Sequence, residues 1–119
     1  MPKRSATDSK AAVVLPGFTD NLNRIIAAYR WLDEHETVVG YTTGTLTAKL
    51  RELGYDYSDV YIRQMRVGTR ANPSAVLLAG LSRAFGGIDV RVWFPQEYPE
   101  VHAAVLRDLD RQGEALKEQ

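Results

Sequence analysis

The sequence predicts an all-α fold, a bundle of five helices. Three observations predict it. Apolar residues recur at three- and four-residue steps in separate stretches; Ser, Thr, Asn or Pro stand where most of those stretches begin; and glycines stand where several of them end. At 119 residues the chain is one domain with an appended helix, and a chain of this size buries roughly two-thirds of its unfolded surface. A core of that size needs neither metal nor disulfide.

Residues 1–17 mix small, polar and charged side chains and read as a flexible N-terminal arm. The first helix starts at Phe18, with Leu22, Ile25, Ile26, Tyr29 and Leu32 on one face and Thr19 or Asp20 as its cap. The glycines and threonines from His35 to Gly44 mark a loop. Thr42 or Thr43 caps a second helix carrying Leu46, Leu50 and Leu53, and Gly54 stops it. Tyr55, Asp56 and Tyr57 form a turn, and Ser58 caps the third helix, where Asp59 suits the positive end of the dipole. Within that helix Tyr61, Ile62 and Met65 point inward, while Val60, Arg63, Gln64 and Arg66 face out. Asn72 is expected to cap a fourth helix with Pro73 at its first position. Val76, Leu77, Ala79, Gly80, Leu81, Ala84 and Phe85 make it the most apolar and central one, and Gly86 and Gly87 end it. Val90, Val92 and Phe94 alternate with Arg91 and Trp93, which is consistent with an extended piece or a single short turn. Pro99 opens the last helix, striped by Val101, Val105, Leu106, Leu109 and Leu116. Trp31 and Trp93 are read as packing residues.

Composition removes whole classes of function. The chain has no cysteine, so thiol chemistry and Cys-based zinc sites drop out, and His35 and His102 have no metal-ligand spacing. No Ser-His-Asp set, phosphate-cradling glycine loop or HExxH stands in the sequence, so neither enzyme activity nor cofactor is expected. No apolar run approaches the ~18 residues of a membrane span. Met1 to Ser5 is basic but has no apolar segment behind it, so it is not a secretory signal. The expected location is the cytoplasm.

The net charge is zero, but it is unevenly spread. From Lys49 to Arg83 six basic residues face three acidic ones, while from Asp89 to the end four face seven. Positive charge therefore gathers around the third helix, where it can attract phosphate locally. Two short helices joined by a turn can present the second to a duplex, whose major groove admits one α-helix. In that arrangement Gln64 suits adenine, Arg63 or Arg66 guanine or phosphate, Val60 a thymine methyl, and Asp59 a cytosine amino group. Ser58, at the cap of the same helix, and Tyr61 within it belong to the same candidate DNA-binding set. Thr69, Arg70 and Asn72, with the start of the fourth helix, form a candidate phosphate clamp.

The stretch from Tyr61 to Ser74, read with the Gly-terminated helix before it, resembles the helix-turn-helix of the Cro/repressor (XRE) family of DNA-binding proteins. Within that family it is similar to the EspR-like, nucleoid-associated regulators of mycobacteria, and the likeness extends from Phe18 to about Leu109. The resemblance implies a lambda-repressor-like domain over 18–94 that binds double-stranded DNA as a dimeric transcription regulator in the nucleoid. It also implies a dimerisation helix over 95–119, with Val101, Val105, Leu106, Leu109 and Leu116 at the interface. Read on its own chemistry, that stripe has a second destination, folded back on helices one and four.

The chain departs from the family in two places. Thr45, Leu46 and Thr47 stand where a glutamine often buttresses the recognition helix, and Asp59 and Val60 stand where glutamines often open it. Asp59 repels phosphate unless it pairs with Arg63. The other reading of the same residues is a protein-interaction module, antitoxin-like or anti-repressor. No membrane and no small-molecule ligand are expected as partners.

Overall fold

A computed structural model describes residues 14–70 and 72–118, so the first thirteen residues of the expected arm lie outside the described residues. The arm ends earlier than residue 17: Leu15 is already buried, and its carbonyl accepts from the Phe18 N–H at 3.1 Å. The described residues form five α-helices, as expected, together with a two-stranded hairpin and a short 3₁₀ helix: α1 (Phe18–Ala28), β1 (Trp31–Leu32), β2 (Val38–Val39), α2 (Thr43–Glu52), α3 (Asp59–Val67), α4 (Ala75–Ala84), the 3₁₀ helix (Val90–Trp93) and α5 (Pro99–Lys117).

The hairpin corrects two expectations: α1 ends at Ala28, so Tyr29 and Leu32 lie beyond it rather than on its face, and the expected loop from His35 holds the second strand. Trp31 pairs with Val39 and Leu32 with Val38, antiparallel. Its turn is held by the Asp33 carboxylate, which accepts from the N–H groups of His35 and Thr37 at 2.8 and 2.9 Å. Two-residue strands are too short to show an alternation in sequence. The hairpin also sets Trp31 against Tyr41 at 4.9 Å between ring centroids, beside the near-parallel Tyr29–Tyr41 pair. Tyr41 then donates to the Ala84 carbonyl at 2.7 Å, tying this aromatic group to the end of α4.

The caps divide into those the sequence placed correctly and those it did not. Thr42 and Thr45 close a reciprocal capping box on α2, and Ser58 caps α3 by accepting from Tyr61 N–H at 3.1 Å. Gly54 and Gly68 end α2 and α3 at φ 97° and 91°, a region other residues rarely occupy. Pro99 opens α5. By contrast α1 starts from Gly17 without a side-chain cap, so neither Thr19 nor Asp20 caps it. α4 is capped by Ser74, which accepts from Leu77 N–H at 3.0 Å, so Asn72 and Pro73 precede the helix rather than open it. The segment from Val90 is helical rather than extended because Asp89 caps it, accepting from Arg91 N–H at 2.9 Å. The hydrogen bonds from the Arg91 side chain and N–H hold the Asp89 carboxyl down at about 2.

The core runs through all five helices, with Ile25, Leu46, Leu50, Met65 and Leu77 fully enclosed. α4 packs against α2 and the 3₁₀ helix and buries Leu77, Leu78, Leu81 and Ala84. Gly80 permits the closest approach there: a Cβ at that position would come within 2.9 Å of the Tyr55 ring. Trp93 is buried, and its indole N–H donates to Ser82 at 2.8 Å. α5 lies across α1, the 3₁₀ helix and β1. Its Leu109 is 4 % exposed, and Val105 and Leu106 pack against the same core. Leu109 is thus committed to the core of one chain, while Val105 and Leu106 pack against it and keep part of their surface. Val101 and Leu116 are half-buried.

Truncating Leu109 therefore tests the core and not an interface. Leu109→Ala should lower the free energy of unfolding in urea by about 2–5 kcal/mol, the usual cost of such a cavity. A folded, fully stable variant that merely changes oligomeric state would show instead that the side chain serves a contact between copies.

Candidate nucleic-acid interface

α3 is nine residues long and keeps only two of them, Ile62 and Met65, in the core. A helix that short gains little from its own hydrogen bonds, so tertiary contacts must hold it. Its last four carbonyls have no helical N–H to accept. Three of them find other partners. Gln64 C=O accepts from Gly68 and Arg70 N–H at 3.0 and 3.2 Å. Met65 C=O accepts from Thr19 Oγ1 of α1 at 2.9 Å, and Arg66 C=O accepts from Asn23 Nδ2 of α1 at 2.7 Å. Asn23 also accepts from Arg66 Nε at 2.9 Å, so one amide holds both the backbone and the side chain of Arg66. The Arg66 Nη1 group continues to Thr43 at the start of α2, at 3.1 Å. The three helices are thereby tied at one point.

That bracing decides what α3 offers to solvent. Val60, Arg63, Gln64 and Val67 fall at i, i+3, i+4 and i+7 and make one outward stripe. Val60 and Val67 are 54 % and 65 % exposed. Arg63 is exposed, and neither it nor Arg70 takes part in an ion pair among the described residues. Ser58 and Asp59 are exposed at the N-terminal end, and no pairing of Asp59 with Arg63 is formed among the described residues. Tyr61 lies half-buried on the flank, stacked on Tyr57 at 5.0 Å and 11°. Burial first, then Tyr57, raises its phenol above the ordinary value, while Arg70 pulls the other way.

The loop after α3 folds back over it. Arg70 sits 5.5 Å above the Tyr61 ring and donates through Nε to Gln64 Oε1 at 3.2 Å. Thr69 and Asn72 are exposed, Asn72 close to the start of α1. Ser58, Asp59, Val60, Arg63, Gln64, Thr69, Arg70 and Asn72 thus keep surface at this end of the molecule. Arg66 does not share their disposition, because two of its donors are turned inward as a strut. Thr19 and Asn23 are the residues that sequence reasoning missed. Both stand on the polar side of α1, and only their positions four residues apart hinted that they share a face.

On α5, Asp110 forms a two-pronged pair with Arg24 of α1 at 2.7 and 3.2 Å, and Asp108 and Glu114 pair with Arg111 and Lys117 of the same helix. Among the described residues no group of His, Asp or Glu is arranged to hold a metal, and no helix is long and apolar enough to cross a membrane. No protein-family model matches this chain, and no curated protein matches it significantly.

Removing the Asn23 amide should loosen α3 as a unit. Asn23→Ala should cost about 1–3 kcal/mol of stability, since it orphans a half-buried carbonyl and a guanidinium donor. Arg63→Ala, on the open face, should stay within about 0.5 kcal/mol of the parent when both variants are unfolded in urea. Equal effects from the two substitutions would contradict the bracing described.

Proposed function

We propose that this protein binds double-stranded DNA as a transcription regulator of the Cro/repressor type, with α2 and α3 acting as a helix-turn-helix and α3 entering the major groove. The observation that carries this reading is the outward stripe of α3. It combines one long cation, one amide and two bare aliphatic side chains on a helix fixed from behind. A groove-reading helix needs that mixture: donors for base and phosphate acceptors, and apolar surface for thymine methyls. Arg63 and Arg70 add positive charge without an ion-pair partner among the described residues. The resemblance of Tyr61 to Ser74 to the EspR-like branch agrees with it.

Such proteins read half-sites in pairs, since one short helix spans too few base pairs for specific affinity, and we take the active form to be a dimer located at the nucleoid. With Leu109 committed to the core, the surface left for a second copy on α5 includes Val101 and Leu116. A second reading, a protein-interaction module, draws on the same exposed pair, Val60 and Val67, which would suit an apolar partner equally well.

Fluorescence anisotropy with a pool of random-sequence duplexes separates the two. Binding should weaken steeply with salt, by roughly 0.9 log units per decade for each phosphate neutralised. Arg63→Ala should weaken it about tenfold or more, the value of a charged hydrogen bond. A folded protein that binds no duplex at low salt would overturn the DNA reading and favour the protein partner.

A further inference from the structure

Gln64 and Arg70 are joined twice. The Arg70 N–H donates to the Gln64 carbonyl at 3.2 Å, and the Arg70 Nε donates to the Gln64 side-chain oxygen at 3.2 Å. The first bond follows from Gly68, whose left-handed backbone turns the chain back over the end of α3. The second is made possible by Tyr61, which supports the guanidinium from below at 5.5 Å and is itself backed by Tyr57. A side chain six residues away is thereby delivered to the outward stripe of the helix. It was expected on the flanking phosphates.

The pairing changes what Gln64 presents. A guanidinium carries donors only, so the amide must meet it with its oxygen, and the N–H₂ group then points away from Arg70. An adenine is read by an amide that offers oxygen and nitrogen side by side to one base edge. Here the oxygen is drawn toward Arg70, and the unit as a whole shows N–H groups: the amide nitrogen of Gln64 and the terminal nitrogens of Arg70. Guanine is the base whose major-groove edge offers two adjacent acceptors, N7 and O6, and no donor. The fork is also held in place before binding, which reduces the side-chain entropy lost on contact.

We propose that Gln64 and Arg70 form one donor-only reading unit that selects a guanine in the major groove. This rests on the DNA-binding reading above and replaces adenine for Gln64 and phosphate for Arg70 as their expected targets. Arg70 carries the contact through its terminal nitrogens, and Gln64 aims it.

Selection from a random-sequence duplex pool, run with the parent, Gln64→Ala, Arg70→Ala and Arg70→Lys, tests the pair. The parent should enrich a guanine at one position of each half-site. Both alanine variants should lose preference at that same position, by about fivefold or more, the lower end for a bidentate base contact. Arg70→Lys should keep the salt dependence yet also lose the guanine, because an ammonium lacks the planar fork. Circular dichroism melts confirm that each variant is folded. Uniform weakening on every sequence by Arg70→Ala, with a salt slope lower by about one unit, would make Arg70 a phosphate contact and overturn the pair. So would a parent that enriches adenine there, or alanine variants that relax different positions. In each of those outcomes DNA binding itself stands. A folded parent that enriches no duplex would instead remove the reading on which the pair rests.

Discussion

The carbonyl groups at the end of α3 have to be satisfied by something other than their own helix, and Thr19 and Asn23 of α1 satisfy two of them. That single requirement orders much of the surface. Because the partners are side chains of α1, the last turn of α3 is fixed in rotation as well as position. Because Asn23 also takes Arg66 Nε, the most C-terminal cation of the helix is drawn inward and on to Thr43 of α2. The opposite side of α3, from Val60 to Val67, then has only one direction in which to face. Individually such bonds contribute about 1 kcal/mol each. Their value lies in orientation, since rotating the helix about its axis would exchange exposed side chains for core ones.

The rest of the fold supplies a rigid backing for that arrangement. The aromatic rings of Tyr29, Trp31, Tyr41 and Phe85 touch one another from the end of α1, through the hairpin, to the end of α4. Tyr41 is pushed up to about 12 by burial, with Tyr29 and Glu52 adding to the shift, so its hydroxyl stays a neutral donor to Ala84. α5 closes the far side by burying Leu109 and by passing close to α1 at Gly113, where an added Cβ would lie 3.7 Å from the Ala28 carbonyl. The surface ion pairs are mostly local and exposed and contribute little to stability. On α5 they pair Asp108 with Arg111 and Glu114 with Lys117.

The sequence made the helices legible because their signals are local. Ser58, Thr42, Gly54, Gly68 and Pro99 each act on backbone atoms within a turn of themselves, so their roles do not depend on the rest of the chain. What stayed hidden depends on partners distant in sequence. Thr19 reads as a helix cap, yet its hydroxyl goes to Met65, 46 residues away. Arg66 reads as a surface cation until Asn23 and Thr43 are placed beside it. Asn72 and Pro73 carry the usual signature of a helix start, but Ser74 has the geometry that reaches Leu77 N–H. The α5 stripe shows that an amphipathic pattern gives the width of a face but not its partner. Gln64 and Arg70 show the same for exposed polar residues: each side chain read alone stands free, and the bond between them appears only in the fold.

The central claim is that the braced, outward stripe of α3 is the surface that meets the partner, and that the partner is duplex DNA. Titrating ¹⁵N-labelled protein with a duplex carrying its selected site, and following each backbone and side-chain amide by NMR, tests it most directly. The account predicts that the largest shifts fall on Val60, Arg63, Gln64, Val67 and the Arg70 loop, with α5 and the hairpin nearly unmoved. Shifts centred on Trp31 and Tyr41, or on the acidic side of α5, with α3 unchanged, would contradict it.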